Sequence, residues 1–87
     1  FCVVGDELFT APARGLLPGI ARGRVIAAVE VTERAVEETE WRAASEVFLT
    51  NALRGVIPVI RIDGRPVGDG AVGARTRSVA DRIADNG

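Results

Sequence analysis

Leu16-Leu17-Pro18-Gly19-Ile20-Ala21-Arg22-Gly23-Arg24, continued at once by Val25-Ile26-Ala27-Ala28-Val29, is the stretch on which the reading of this chain turns. A proline and a glycine stand together, and an amphipathic pattern begins behind them. Ala21, Val25 and Ala28 recur at helical spacing with Val29 beside them, while Arg22 and Arg24 project elsewhere. The pattern predicts a loop that becomes a helix at about Gly19. Such a start leaves backbone N–H groups unpaired and adds the positive end of the helix dipole. A small residue there lets an anion come close to the backbone. Two readings fit these residues: a seat for a phosphate, or an ordinary helix start with glycine near its cap.

Upstream, Phe1-Cys2-Val3-Val4 reads as a strand, Gly5-Asp6-Glu7 as a turn and Leu8-Phe9-Thr10 as the returning strand of a hairpin. An apolar strand at residue 1 reads as the later part of something longer, since domains tend to open on loose polar residues. Residues 11–16, with Pro12 and Gly15, form the loop that leads to Pro18-Gly19.

Downstream, residues 30–36 alternate as a strand would, with Val31, Glu33 and Ala35 on one face. Thr39 is placed to cap a short helix over 40–44, anchored to the core by Trp41, the sole tryptophan. Glu37, Glu38 and Glu40 lack clustered partner ligands and read as a solvated face rather than a metal site. Val47-Phe48-Leu49 is a buried strand ending in Thr50-Asn51, and residues 52–55 are a loop or single helical turn. Residues 56–62 form another strand, in which Pro58 requires an edge, a bulge or a strand start. Asp63-Gly64 is the pair expected in a two-residue type I′ hairpin. Gly68, Gly70 and Gly73 lead to a last helix with an apolar stripe of Thr76, Val79, Ala80, Ile83 and Ala84. Those glycines lack the spacing of a dinucleotide-binding loop.

Composition narrows the classes. The 87 residues suit one small domain burying roughly 60–65% of its unfolded surface. An apolar content of 47% with 26% charged residues is that of a folded globular protein. A net charge of -1 gives nucleic acid or an anionic membrane no electrostatic hold. The one cysteine, Cys2, excludes an internal disulfide, fits a reducing compartment, and is best used as a small buried apolar group. There is no histidine, so the usual neutral-pH proton carrier and commonest metal ligand are both missing. All 11 basic residues are arginine, so no lysine amine is available for Schiff-base chemistry.

Taken in order, several segments resemble the class IV aminotransferases, the fold-type IV pyridoxal-phosphate enzymes. They are Phe1 with its spacing to Leu8-Phe9-Thr10, Leu17-Pro18-Gly19-Ile20-Ala21-Arg22, Glu46-Val47-Phe48-Leu49-Thr50-Asn51, Val56-Ile57-Pro58-Val59, and Ile62-Asp63-Gly64-Arg65-Pro66-Val67-Gly68-Asp69-Gly70. The resemblance implies an α/β (α+β) fold, the C-terminal part of the large domain, with helices packed on mixed strands. Residues 1–87 would be a single partial domain of a longer enzyme. The Schiff-base lysine and the glutamate that meets the pyridinium nitrogen would both lie upstream of Phe1.

The resemblance assigns this chain the cofactor-phosphate end of the site. Gly19, Ile20 and Ala21 at the helix start, with Asn51 and Ala52, would hold pyridoxal 5'-phosphate. Ala52 and Leu53 would offer backbone N–H groups to the substrate carboxylate. No catalytic residue and no metal ligand is expected here, and the chain alone would be inactive. Transaminases of the family usually carry threonine where Ala21 and Ala52 stand. Two lost hydroxyl donors would weaken phosphate binding by roughly 1.5–3 kcal/mol each. Together with the Asn51-Ala52-Leu53 triplet, this looks more like aminodeoxychorismate lyase, which forms 4-aminobenzoate and pyruvate for folate. The other readings are a branched-chain or D-amino-acid aminotransferase, or a non-catalytic module. A small-molecule substrate, a homodimer and a cytoplasmic location complete what the family implies.

Overall fold

The chain is described by a computed structural model over residues 1–11, 20–51 and 53–85. Strands β1 (Cys2–Val4) and β2 (Glu7–Thr10) form a hairpin, and α1 (Ile20–Ala28) carries the chain to the short β3 (Thr32–Glu33). Helix α2 (Glu38–Ala43) precedes the longer pair β4 (Glu46–Asn51) and β5 (Gly55–Val59). The hairpin of β6 (Arg61–Ile62) and β7 (Arg65–Pro66) then leads to α3 (Ala74–Asp85). One sheet has the order β3-β2-β1-β4-β5, parallel only between β2 and β3, and β6-β7 stands apart. This is the mixed α/β architecture expected from the sequence.

The alternation of side chains along the strands builds two cores, one on each face of the sheet. Phe1, Val3, Leu8 and Phe48 face α1 and α3, where they meet Val25, Val79 and Ile83. Cys2, Phe9 and Val47 face the other way, toward Ala44 and Val67, with Val36, Trp41, Val59 and Ile62 packed around them. Cys2 is fully buried, as its apolar reading requires, and burial pushes its thiol pKa up. Phe1 and Phe48 join the sheet to the first core twice. Their rings stack at 4.8 Å between centroids, and each backbone N–H donates to the other's carbonyl at 3.0 Å.

Several elements follow the sequence reading. Asp63 and Gly64 both have positive φ, 52° and 79°, as a type I′ turn demands. Pro58 sits in β5, the edge strand of the sheet. Thr76, Val79 and Ile83 are buried beneath α3, although Ala84 is exposed.

Others depart from it. The strand expected over 30–36 contracts to Thr32–Glu33, whose pairing with β2 closes on the Arg34 N–H donating to the Thr10 carbonyl at 2.9 Å, while the Arg34 side chain reaches toward α2. Its guanidinium lies 3.9 Å from the Phe9 ring centroid, with Nη2 at 2.7 Å from Glu40 Oε2 and Nε at 3.1 Å from Glu7 Oε1. Thr39 lies inside α2 and does not cap it. The N-cap is Glu37, whose N–H donates to Glu40 Oε1 at 3.1 Å, one half of a capping box. Glu37 and Glu38 are exposed, as a solvated face requires, whereas Glu40 is half-buried and held by Arg34 and the Glu37 N–H, and Glu38 accepts from Arg42 one turn on at 2.9 Å. Leu49 is not buried but 53% exposed. The strand expected over 56–62 breaks at Ile60, whose carbonyl accepts the Val67 N–H at 2.8 Å and so ties in the second hairpin.

The first strand residue of β4 caps the last helix. Glu46 accepts from the Arg75 N–H at 3.2 Å and the Thr76 N–H at 2.7 Å, satisfying donors in the first turn of α3. Gly73 passes so close that a Cβ there would overlap the Glu46 carboxylate. Gly68 is equally constrained, with φ of 57° and the Ser45 carbonyl where its Cβ would stand.

Two outcomes are expected. Replacing Glu46 with alanine should lower the unfolding free energy by roughly 1–2 kcal/mol, by the measure of lost helix caps, read as a drop in urea midpoint at unchanged slope. The second concerns acid. Arg34, first, and then the Glu37 N–H hold the Glu40 carboxyl down at about 2 against an ordinary 4.5. A depressed carboxyl stabilises the fold above its unfolded pKa and loses that contribution as pH falls through the folded value. Stability should decline between pH 4.5 and about 2, and Glu40→Gln should flatten that decline in denaturation midpoints taken across the window.

Candidate functional site

The expected phosphate seat is the N-terminal turn of α1. The helix opens at Ile20, with no acidic side chain in its first turn to oppose an anion. Ala21 is buried, so what it offers a ligand is its backbone N–H. Arg22, also in this turn, spends its guanidinium locally: Nη2 donates to the Ala11 carbonyl at 3.0 Å and to Glu33 Oε1 at 2.8 Å. That clasp joins the loop after β2, the start of α1 and the edge strand β3. Sequence spacing did not reveal it, because Arg22, Glu33 and Ala11 are distant in the chain.

The second expected component lies at the C-terminal end of β4. Asn51 closes the strand, and its Oδ1 accepts from the Leu53 N–H at 2.8 Å and the Arg54 N–H at 3.3 Å. This is an Asx-type turn, which an asparagine in this position builds from its own side chain. Gly55 completes it with a φ of 74°. Leu53 projects outward and is 96% exposed. Its N–H, assigned by the resemblance to a substrate carboxylate, is engaged within the turn. Gly19 and Ala52 lie outside the described residues, as does the side chain of Ile20.

The sheet brings these two components to one side. Helix α1 packs on β4, and Val25 and Phe48 share a core. The opposite end of the sheet has different chemistry. A surface cleft of about 320 Å³ is lined there by Asp6, Glu7, Leu8, Glu30, Thr32 and Arg75. Its three carboxylates disfavour a phosphate there. Among the described residues no group of three or more His, Cys, Asp or Glu side chains is assembled to hold a metal ion.

The Amino-transferase class IV family matches residues 1–62. This chain belongs to the class IV aminotransferases. It is similar to a probable branched-chain-amino-acid aminotransferase of Aquifex aeolicus, 36% identical over 88% of this chain and 27% of that protein. It is also similar to a D-alanine aminotransferase of Bacillus licheniformis, 40% identical over 93% of this chain and 31% of that protein. In three dimensions it resembles a Brucella abortus aminotransferase bound to the cofactor PLP, with a TM-score of 0.86 and 32% identity, over 98% of this chain and 31% of that one. The class IV chain described here thus spans under a third of the length of these relatives.

These relatives shift the weight given to the two alanines. They are named aminotransferases, so the lean toward a lyase gives way to the aminotransferase reading. Ala21 also faces the core, where side-chain size answers to packing as well as to any ligand.

The Asx turn is directly testable. Asn51→Ala should speed amide hydrogen exchange at Leu53 and Arg54 while leaving Phe48 slow, and Asn51→Asp, which keeps the acceptor, should restore much of the protection.

Proposed function

We propose that this chain is the cofactor-phosphate part of a longer pyridoxal-phosphate-dependent aminotransferase that acts on branched-chain or D-amino acids. The observation that carries the proposal is the first turn of α1, free of acidic side chains and packed beside β4, which ends in the Asn51 turn. The donor set suits a phosphate monoester: N–H groups of Ile20 and Ala21 at a positive helix end, with no carboxylate among them.

When bound, pyridoxal phosphate supplies the electron sink that stabilises charge at the substrate carbon. The parts of this chain have narrower tasks. The N–H groups of Ile20 and Ala21 fix the phosphate, and Asn51 holds the neighbouring loop in shape. Val25 and Phe48 keep water from the rear of the seat. No lysine occurs in these residues, so a lysine amine serving the cofactor would come from elsewhere in the longer protein. The reading also takes residues 1–87 as one partial domain, the whole enzyme as a homodimer, and its location as cytoplasmic, in keeping with one buried thiol.

The test uses the full-length, cofactor-loaded enzyme. With 2-oxoglutarate as acceptor, it should convert L-leucine, L-isoleucine, L-valine or D-alanine to the matching keto acid. Pyruvate released from aminodeoxychorismate without any acceptor, in the absence of those activities, would instead establish the lyase. In the same enzyme Gly19→Pro removes a backbone donor and stiffens the helix start. It should raise the cofactor dissociation constant by roughly tenfold or more, on the scale of one or two lost charge-assisted bonds. Arg65→Ala, at an exposed hairpin position, should leave it unchanged.

A further inference from the structure

Helix α1 is held along its length by contacts of different kinds. At its middle Val25 is fully buried in the core that contains Phe48, a packing that binds the helix to the sheet without fixing its direction. At its far end Arg82 Nη1 donates to the Ala28 carbonyl at 3.2 Å and ties the last turn to α3. At its start Arg22 Nη2 donates to the Ala11 carbonyl at 3.0 Å and to Glu33 Oε1 at 2.8 Å. The N–H groups of Ile20 and Ala21 lie in the turn that this last contact holds.

Strand pairing explains why the two acceptors meet. β2 and β3 run parallel with Thr10 opposite Glu33, and the Thr10 carbonyl also accepts the Arg34 N–H at 2.9 Å. Ala11 follows Thr10, so its carbonyl and the Glu33 carboxylate reach one guanidinium nitrogen at the same end of the two strands. The Arg22 side chain is 17% exposed, against 38% and 49% for Arg34 and Arg42, the other arginines in the described ion pairs. An arginine in a first helical turn opposes the positive end of the dipole, and Glu33 offsets that charge where it is anchored.

The geometry makes the seat sensitive to this anchor. Val25 lies five residues beyond Ile20, roughly 7.5 Å along the axis, so a tilt of about 4° about Val25 moves the first turn by roughly 0.5 Å. That is the whole distance range of a good N–H···O bond, about 2.7–3.2 Å.

We propose that Glu33 is a positioning residue for the phosphate seat: through Arg22 it fixes the first turn of α1 against β2 and β3, so that the N–H groups of Ile20 and Ala21 keep one bearing. The proposal rests on the reading of that turn as the cofactor-phosphate site, and it gives β3, a strand of two residues, a task beyond the sheet.

The test uses the full-length apoenzyme, titrated with pyridoxal 5'-phosphate and with pyridoxal, which lacks the phosphate. Glu33→Ala should raise the dissociation constant of pyridoxal 5'-phosphate by about fivefold, the upper range for an exposed ion pair, and leave that of pyridoxal unchanged. Glu33→Gln keeps an oxygen for Arg22 and should restore most of the affinity. Glu38→Ala removes a comparable pair in the other layer, with Arg42 at 2.9 Å, and should alter neither constant. Equal weakening of both ligands by Glu33→Ala would mark a general loss of structure and overturn the proposal. No change in either constant would overturn it too, as would tighter binding of pyridoxal 5'-phosphate by both Glu33 variants, the sign of an Arg22 charge set free. Equal binding of the two ligands by the unaltered enzyme would remove the phosphate seat, and this role with it, a failure read before any variant is made.

Discussion

Everything in this fold leans on a strand of three residues. β1 is paired on both edges, to β2 and β4, and its side chains enter both cores, Val3 on one face and Cys2 on the other. A strand so short has few hydrogen bonds of its own, and its hold comes from what it divides. The stacked pair of Phe1 and Phe48 secures the helix-covered face, where α1 and α3 close over Val25, Val79 and Ile83. The other face is closed by a lighter cover, α2 and the small hairpin, around Phe9 and Val47. The heavier layer is the one that carries the proposed phosphate seat.

Polar groups orient these layers. Glu46 begins a strand yet caps α3, so one carboxylate ties the start of β4 to the first turn of the last helix. Arg34 does the same for the lighter layer, joining Glu7 on β2 to Glu40 on α2 across the ring of Phe9. The Arg22 clasp fixes the entrance to α1. Each device connects an element of the sheet to one outside it, a task that apolar packing alone performs without directional preference.

What could be read from the sequence was local. The two-residue turn at Asp63-Gly64, the helix start near Gly19, the apolar stripe of α3 and the edge position of Pro58 each follow from the conformational limits of a few neighbouring residues. The failures were non-local. Residues 30–36 alternate as a strand does, but their partner β2 ends at Thr10, so the pairing stops once the Arg34 N–H has met the Thr10 carbonyl. Leu49 looked buried because it continues an apolar run, and the run does not show which of its members the layers cover. Glu37 displaced Thr39 as cap because Glu40 could return a bond to its N–H. For the candidate site, the ordered segments pointed to the family, and the roles of Asn51 and Leu53 required coordinates: the asparagine uses its own oxygen to shape the turn.

The pairing of β1 with β4 also shapes how the chain reaches its folded state. Phe1 and Phe48 are 47 residues apart, whereas β4 meets β5 through a short turn and β5 is followed closely by the second hairpin and α3. Closing the long loop costs chain entropy before any contact within β1 repays it. The C-terminal half can condense on local contacts, with α3 against β4 and β5, and so provide a preformed edge. β1, joined to β2 in a hairpin as local as that of β4 and β5, reaches the same edge only by closing that long loop, so the β1–β4 seam is the costliest contact of the sheet in chain entropy.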